Sequence, residues 1–178
     1  MAYKKVVLAT KRVLYPKLYV AEEFMGNKRF SSTVLLTEED EKALEAQIKA
    51  CIEEDAPGKG DQLIKRYKGS RQSWPIKETD DGFSITPKRK EEKGAPLVLD
   101  QQKQNIPADA GLPYSGCWCN VSITIFHYTK NGGGVTLYLN GVQLVRTDAP
   151  LAGGSAPSRD DFEVISEDDV PQADADMF

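Results

Sequence analysis

A chain of 178 residues, 40% hydrophobic and 28% charged, is long enough to bury one ordinary core and has no apolar run of membrane-spanning length. Three cysteines (Cys51, Cys117, Cys119) and one histidine, His127, argue against a disulfide framework and provide too few ligands at metal spacing, so neither metal nor cofactor is expected. The net charge of −4 hides an asymmetry: eight of the 27 acids and no base fall within residues 160–178, which leaves 23 bases against 19 acids, or +4, in residues 1–159.

In chain order, residues 3–9 and 13–20 read as one strand or two, with Pro16 at a bulge or an edge. The opening residues lack a signal-peptide core, which predicts a protein that stays in the cytosol. A turn at Gly26-Asn27 leads to a strand over 28–36. Residues 37–55 form the one clear helix. Thr37 is a suitable N-cap, Asp40 follows three residues on, and Leu44, Ile48, Cys51 and Ile52 make one apolar stripe. Glu38–Lys42 and Glu45–Lys49 are spaced to pair along its surface, and the helix is expected to lid one end of a barrel.

Residues 58–94 are irregular, with a short helix expected near 61–68 and a short strand near 83–87. Ten bases and six acids occupy this stretch, and Tyr67, Arg71 and Trp74 stand together in it. A short strand at 97–99 and a polar loop over 101–111 precede the two strongest strands, 116–128 and 135–146. The glycine-rich loop Asn131-Gly132-Gly133-Gly134 joins them as a hairpin. Residues 150–157 have linker composition, and nothing in the acidic tail beyond can fold alone.

The strand from 117 to 128 divides by period two. Cys117, Cys119, Val121, Ile123, Ile125 and His127 form a core face. Trp118, Asn120, Ser122, Thr124, Phe126 and Tyr128 form the other, which Tyr138 continues from the facing strand with Thr136 and Asn140. Aromatics alternating with small polar residues on a wet face suit the stacking of unpaired bases, at roughly 1–3 kcal/mol each. The same alternation also fits a face packed on a second sheet. The candidate DNA-binding residues are Trp118, Phe126, Tyr128, Tyr138, Asn120, Tyr67, Arg71, Trp74 and Lys130. In the tail, Asp168, Asp169, Asp174, Asp176 and the terminal Phe178 make a compact handle for a protein partner, or else a plain solubilising segment.

The segments Pro113-Tyr114-Ser115-Gly116-Cys117, Phe126-His127-Tyr128, Leu139-Asn140-Gly141-Val142-Gln143 and Leu151-Ala152-Gly153-Gly154 resemble a family of phage single-stranded DNA-binding proteins. The resemblance spans nearly the whole chain. It implies a mostly β fold, an OB-type β-barrel with one capping helix over residues 1–148, followed by a flexible linker and disordered acidic tail over 149–178. It also implies sequence-nonspecific binding of single-stranded DNA in phage replication or recombination, in the cytoplasm of the infected bacterial host. The tail, similar in its terminal Phe to those of podovirus-type replication proteins, implies a segment that masks the DNA cleft and contacts phage or host replication and recombination proteins through Phe178. No membrane partner is expected. A β-rich virion structural or assembly protein is the alternative, and an enzyme is disfavoured because no carboxylate cluster or phosphate-cradling loop stands out.

Overall fold

The computed structural model describes residues 1–151 and 163–166. Most of the linker and the tail residues Asp168, Asp169, Asp174, Asp176 and Phe178 lie outside the described residues. Among the described residues there are eight strands and two α-helices, besides three single-turn 3-10 helices: β1 (Ala2–Phe24), β2 (Asn27–Leu36), α1 (Glu38–Asp55), α2 (Gly60–Lys68), β3 (Lys77–Thr79), β4 (Gly82–Ile85), β5 (Lys88–Lys90), β6 (Leu97–Leu99), β7 (Trp118–Tyr128) and β8 (Gly134–Arg146).

Strand β1 is a single element of 23 residues. It bends where Thr10 and Tyr15 take positive φ (51° and 48°), and its pairing slips at both places. Pro16 sits inside the second slip, where a missing N–H breaks no ladder. Between the bends β1 changes partner. Residues 2–12 pair antiparallel with β7, and residues 13–24 with β2. The remaining neighbours are β7 with β8, β8 with β5, and β5 with β2, so the hydrogen-bonded circuit returns to β1. Only β5 and β8 run parallel within that circuit, meeting at Lys88 and Tyr138. Five strands closed in this order are the OB arrangement. Strands β4 and β3 extend β2 outward, and β6 lies along β8.

The core follows the predicted periods. Burial alternates along all of β7, and every inner residue from Cys117 to His127 is buried. On β2, Phe30, Ser32, Val34 and Leu36 point inward together. Each fully buried aliphatic side chain contributes about 1.5–3 kcal/mol to the fold.

Helix α1 closes one end of the barrel with Leu44, Ile48, Cys51 and Ile52, all buried. A capping box starts it: the Asp40 N–H donates to Thr37 Oγ1 (3.2 Å) and the Thr37 N–H to Asp40 Oδ2 (2.9 Å). Glu38 and Lys42 pair as spaced (3.4 Å). The second expected pair does not form. Lys49 reaches Asp61 (3.1 Å) and Glu45 reaches Lys68 (3.0 Å), because α2 folds back along α1 and offers partners that need no i,i+4 contact. The single capping helix of the sequence reading thus becomes a pair.

Candidate nucleic-acid interface

The segment after α2 is fastened to the start of β8. Val135 N–H donates to the Ser73 carbonyl (2.9 Å) and Tyr128 Oη to that of Gln72 (3.3 Å). Gly134 permits this contact, since a Cβ there would lie 2.9 Å from Ser73 Cα and closer still to the Tyr128 hydroxyl. The attachment sets Arg71, Trp74 and Lys77 beside Thr136 and Tyr138. From the opposite side come Phe24 at the end of β1, Arg29 of β2, and Lys88 and Lys90 of β5. Cross-strand pairing of Arg29 with Lys90, and of Lys88 with Tyr138, draws these side chains into one groove.

The groove lining holds five bases, Arg29, Arg71, Lys77, Lys88 and Lys90, and no acid. Partial burial, then the nearby charges of Arg29 and Lys77, push the Lys88 ammonium below the ordinary lysine range. Among the described residues Lys90 alone of the five meets an acid, Glu92 at 4.0 Å, and cations gathered at this density favour an anionic ligand. Trp74 backs the wall but is itself buried at 8% exposure, with the Lys68 ammonium 5.4 Å from its ring centroid, so it offers an edge to the groove rather than an open ring face.

Tyr138 links the groove to the outer face of β1, β7 and β8. There Tyr3 and Phe126 stack at 4.5 Å between centroids, Phe126 and Tyr138 at 5.8 Å, and Tyr128 lies 6.2 Å from Phe126. Tyr3 is well exposed and Tyr138 just so, whereas Phe126 is flanked on both sides by tyrosines. Further along the face, Asn140 bonds to Ser122 and Thr124, and the Asn120 amide to Gln143.

Of the residues singled out from sequence, Arg71, Trp74 and Tyr138 share the groove, and Phe126 and Tyr128 adjoin it. Lys130 is exposed in the β7–β8 turn, and Asn120 is committed to Gln143 and to the Thr10 N–H. Tyr67 is a correction. It is buried at 2% exposure, its hydroxyl 2.8 Å from His127 Nε2, because its side of α2 faces the barrel; it has no ring face for a base. His127 Nδ1 in turn meets Asp55 (2.7 Å), whose other oxygen binds the amino group of Met1 (2.9 Å). Burial opposes ionisation of Asp55, but the ammonium and the imidazole outweigh it and hold the carboxyl below its usual range.

Trp118 stands at the opposite end of β7 from Phe126, on the order of 25 Å away at about 3.3 Å per residue. Its indole N–H donates to Asp148 (2.9 Å), and the Arg146 and Arg12 guanidiniums lie 4.6 and 5.6 Å from the ring. Arg12 also donates to the carbonyls of Gly116 and Ala149 (3.0 Å each), so this cluster holds down the chain as it leaves β8.

Phe24, Arg29, Lys77, Lys88, Lys90 and Tyr3 were not among the residues chosen from sequence. The density of bases in 58–94 signalled the lysines only as a group. Nothing local marks Arg29, which owes its place to strand register. Among the described residues no three His, Cys, Asp or Glu side chains gather as a metal site.

Residues 4–173 match the family of the single-stranded DNA-binding protein of Enterobacter phage Enc34. A putative protein p50 of Acyrthosiphon pisum secondary endosymbiont phage 1 is 38% identical over 74 residues, a match that covers 42% of this chain and only 40% of that relative. The fold is shared with the Enc34 protein solved in complex with single-stranded DNA (TM-score 0.62, 20% identity, 83% of this chain and 89% of that one). It is also shared with gp2.5, a single-stranded DNA-binding protein of bacteriophage T7 (TM-score 0.56, 19% identity, 97% and 100%).

Proposed function

The chain belongs to the family of the Enterobacter phage Enc34 single-stranded DNA-binding protein, and we propose from that premise that it binds single-stranded DNA without sequence preference. The observation that carries the reading is the groove with five bases and no acid in its lining, walled by Phe24, Trp74 and Tyr138. The bases neutralise successive phosphates while the exposed rings of Phe24 and Tyr138 stack on unpaired bases, a combination that holds any sequence and needs no reaction. In an OB barrel this is the face of strands two and three, here β2 and β5, with the β1–β2 and β7–β8 turns at its rims. Tyr138, Phe126, Tyr128 and Tyr3 would continue the track onto the sheet.

The protein acts in phage DNA replication or recombination, in the cytoplasm of the infected cell. The acidic tail, opposite in sign to residues 1–159, competes with DNA for the groove and presents Phe178 to replication or recombination proteins. Titration of Trp74 and Trp118 fluorescence with oligo-dT and with a duplex of equal length tests the core of this reading. Preference for the single strand at physiological salt is expected, and equal affinity would refute it. For the tail, deletion of residues 160–178 should raise affinity most at low salt, where unscreened charges reach furthest. Superimposable salt curves would make the tail a passive segment.

A further inference from the structure

The β1–β2 hairpin ends in a feature that the fold itself does not use. Phe24 pairs with Asn27 across the two-residue turn Met25-Gly26. Both turn residues have positive φ, 51° and 81°. This is the type I′ geometry, whose first position favours Asn, Asp or Gly because an ordinary side chain is crowded there. Met25 occupies it instead, with 86% of its surface in solvent, and Phe24 beside it is 62% exposed. A strained backbone residue that is also a bare apolar side chain gains nothing for stability, and such outliers point toward function.

We propose that Met25 is a wedge that enters the base stack where single strand meets duplex, an activity that rests on the groove being a single-strand track but goes beyond holding DNA already unpaired. The tip is continuous with the groove, since Phe24 and Arg29, the third residue after the turn, are both part of the groove wall. Lys28 and Arg29 follow the turn, paired across the hairpin with Glu23 and Glu22, and share the cleft beside the turn with Lys90, Glu91 and Glu92, so the uncompensated positive charge lies on the groove side, where Arg29 joins Lys88, Lys77 and Arg71. As a strand leaves a duplex, Phe24 receives the first freed base and Met25 fills the gap opened in the stack. Apolar side chains inserted between base steps unstack them in this manner. The joined basic groove makes nucleic acid, rather than a protein, the occupant that the charge favours.

The test uses the full-length protein and a forked duplex with two dT tails, carrying 2-aminopurine in the first base pair. Met25→Asn suits the positive φ, so it should fold at least as well and bind plain oligo-dT as the wild type does. Its fluorescence rise at the fork should fall at least about fivefold, the lower end of what one stacking contact supplies. Met25→Leu, apolar at the same place, should keep the opening. Equal opening by wild type and Met25→Asn, with oligo-dT bound by both, would overturn the wedge alone. Failure of the wild type to bind oligo-dT would overturn the groove reading and the wedge with it.

Discussion

Replacing Lys88 with Gln should change affinity and stability in opposite directions. If each of the five groove bases faces one phosphate, log affinity falls against log salt with a slope of roughly −3.5, from about −0.7 per phosphate on a single strand. Raising salt from about 50 to 200 mM then weakens the wild type roughly 130-fold and the four-base variant roughly 50-fold. In the free protein Lys88 is held below its ordinary range by burial and by Arg29 and Lys77. The unfolded chain therefore holds that proton more tightly than the folded one. The charge costs stability at neutral pH, and the cost disappears as pH rises through the folded value toward the unfolded one. Lys88→Gln should thus be more stable at pH 7, by roughly a few tenths of a kcal/mol because the side chain is largely exposed, and the gap should close in alkali. Oligo-dT titrations at several salt concentrations and urea unfolding between neutral and alkaline pH read both effects. An unchanged salt slope would remove Lys88 from the phosphate track, and a loss of stability at pH 7 would refute the repulsion argument.

Tyr67→Phe removes the hydroxyl beside buried His127 and should cost about 1–3 kcal/mol in urea unfolding, with oligo-dT affinity unchanged; a loss of affinity without loss of stability would return Tyr67 to the binding site. Asp55→Asn should be less stable than wild type at neutral pH. The lowered carboxyl stabilises above the unfolded pKa of about 4, and this is lost as pH falls through the folded value, so the two proteins should converge in acid; a gap constant with pH would show that the charge of Asp55 is not what matters. Trp118→Ala breaks the bond to Asp148 and the contacts with Arg12 and Arg146 and should lower stability by at least about 1 kcal/mol. Its effect on DNA affinity should be small; an affinity loss with stability intact would instead make Trp118 a stacking residue.

What sequence alone determined were features set by short spacings. The period of two in β7 separated its buried from its exposed side chains, because successive Cβ atoms must point to opposite faces. Thr37, Asp40 and the stripe from Leu44 to Ile52 defined α1, because a capping box and a 3.6-residue period act within one or two turns. The division of charge between residues 1–159 and the tail needs no coordinates at all. Tertiary structure decided the rest. Whether β1 was one strand or two depended on its having two different partners at once. The orientation of α2 decided that Tyr67 is buried against His127, while Trp74, seven residues later and also buried, backs the groove wall. The groove assembles from Arg29, from Lys88 and Lys90, from the segment carrying Arg71 and Lys77, and from Tyr138, stretches far apart in sequence. They meet because closing the barrel places β5 between β2 and β8, and a single parallel contact brings Lys88 to Tyr138. Register across such distances is chosen by burial of the whole core, to which no local window of sequence has access.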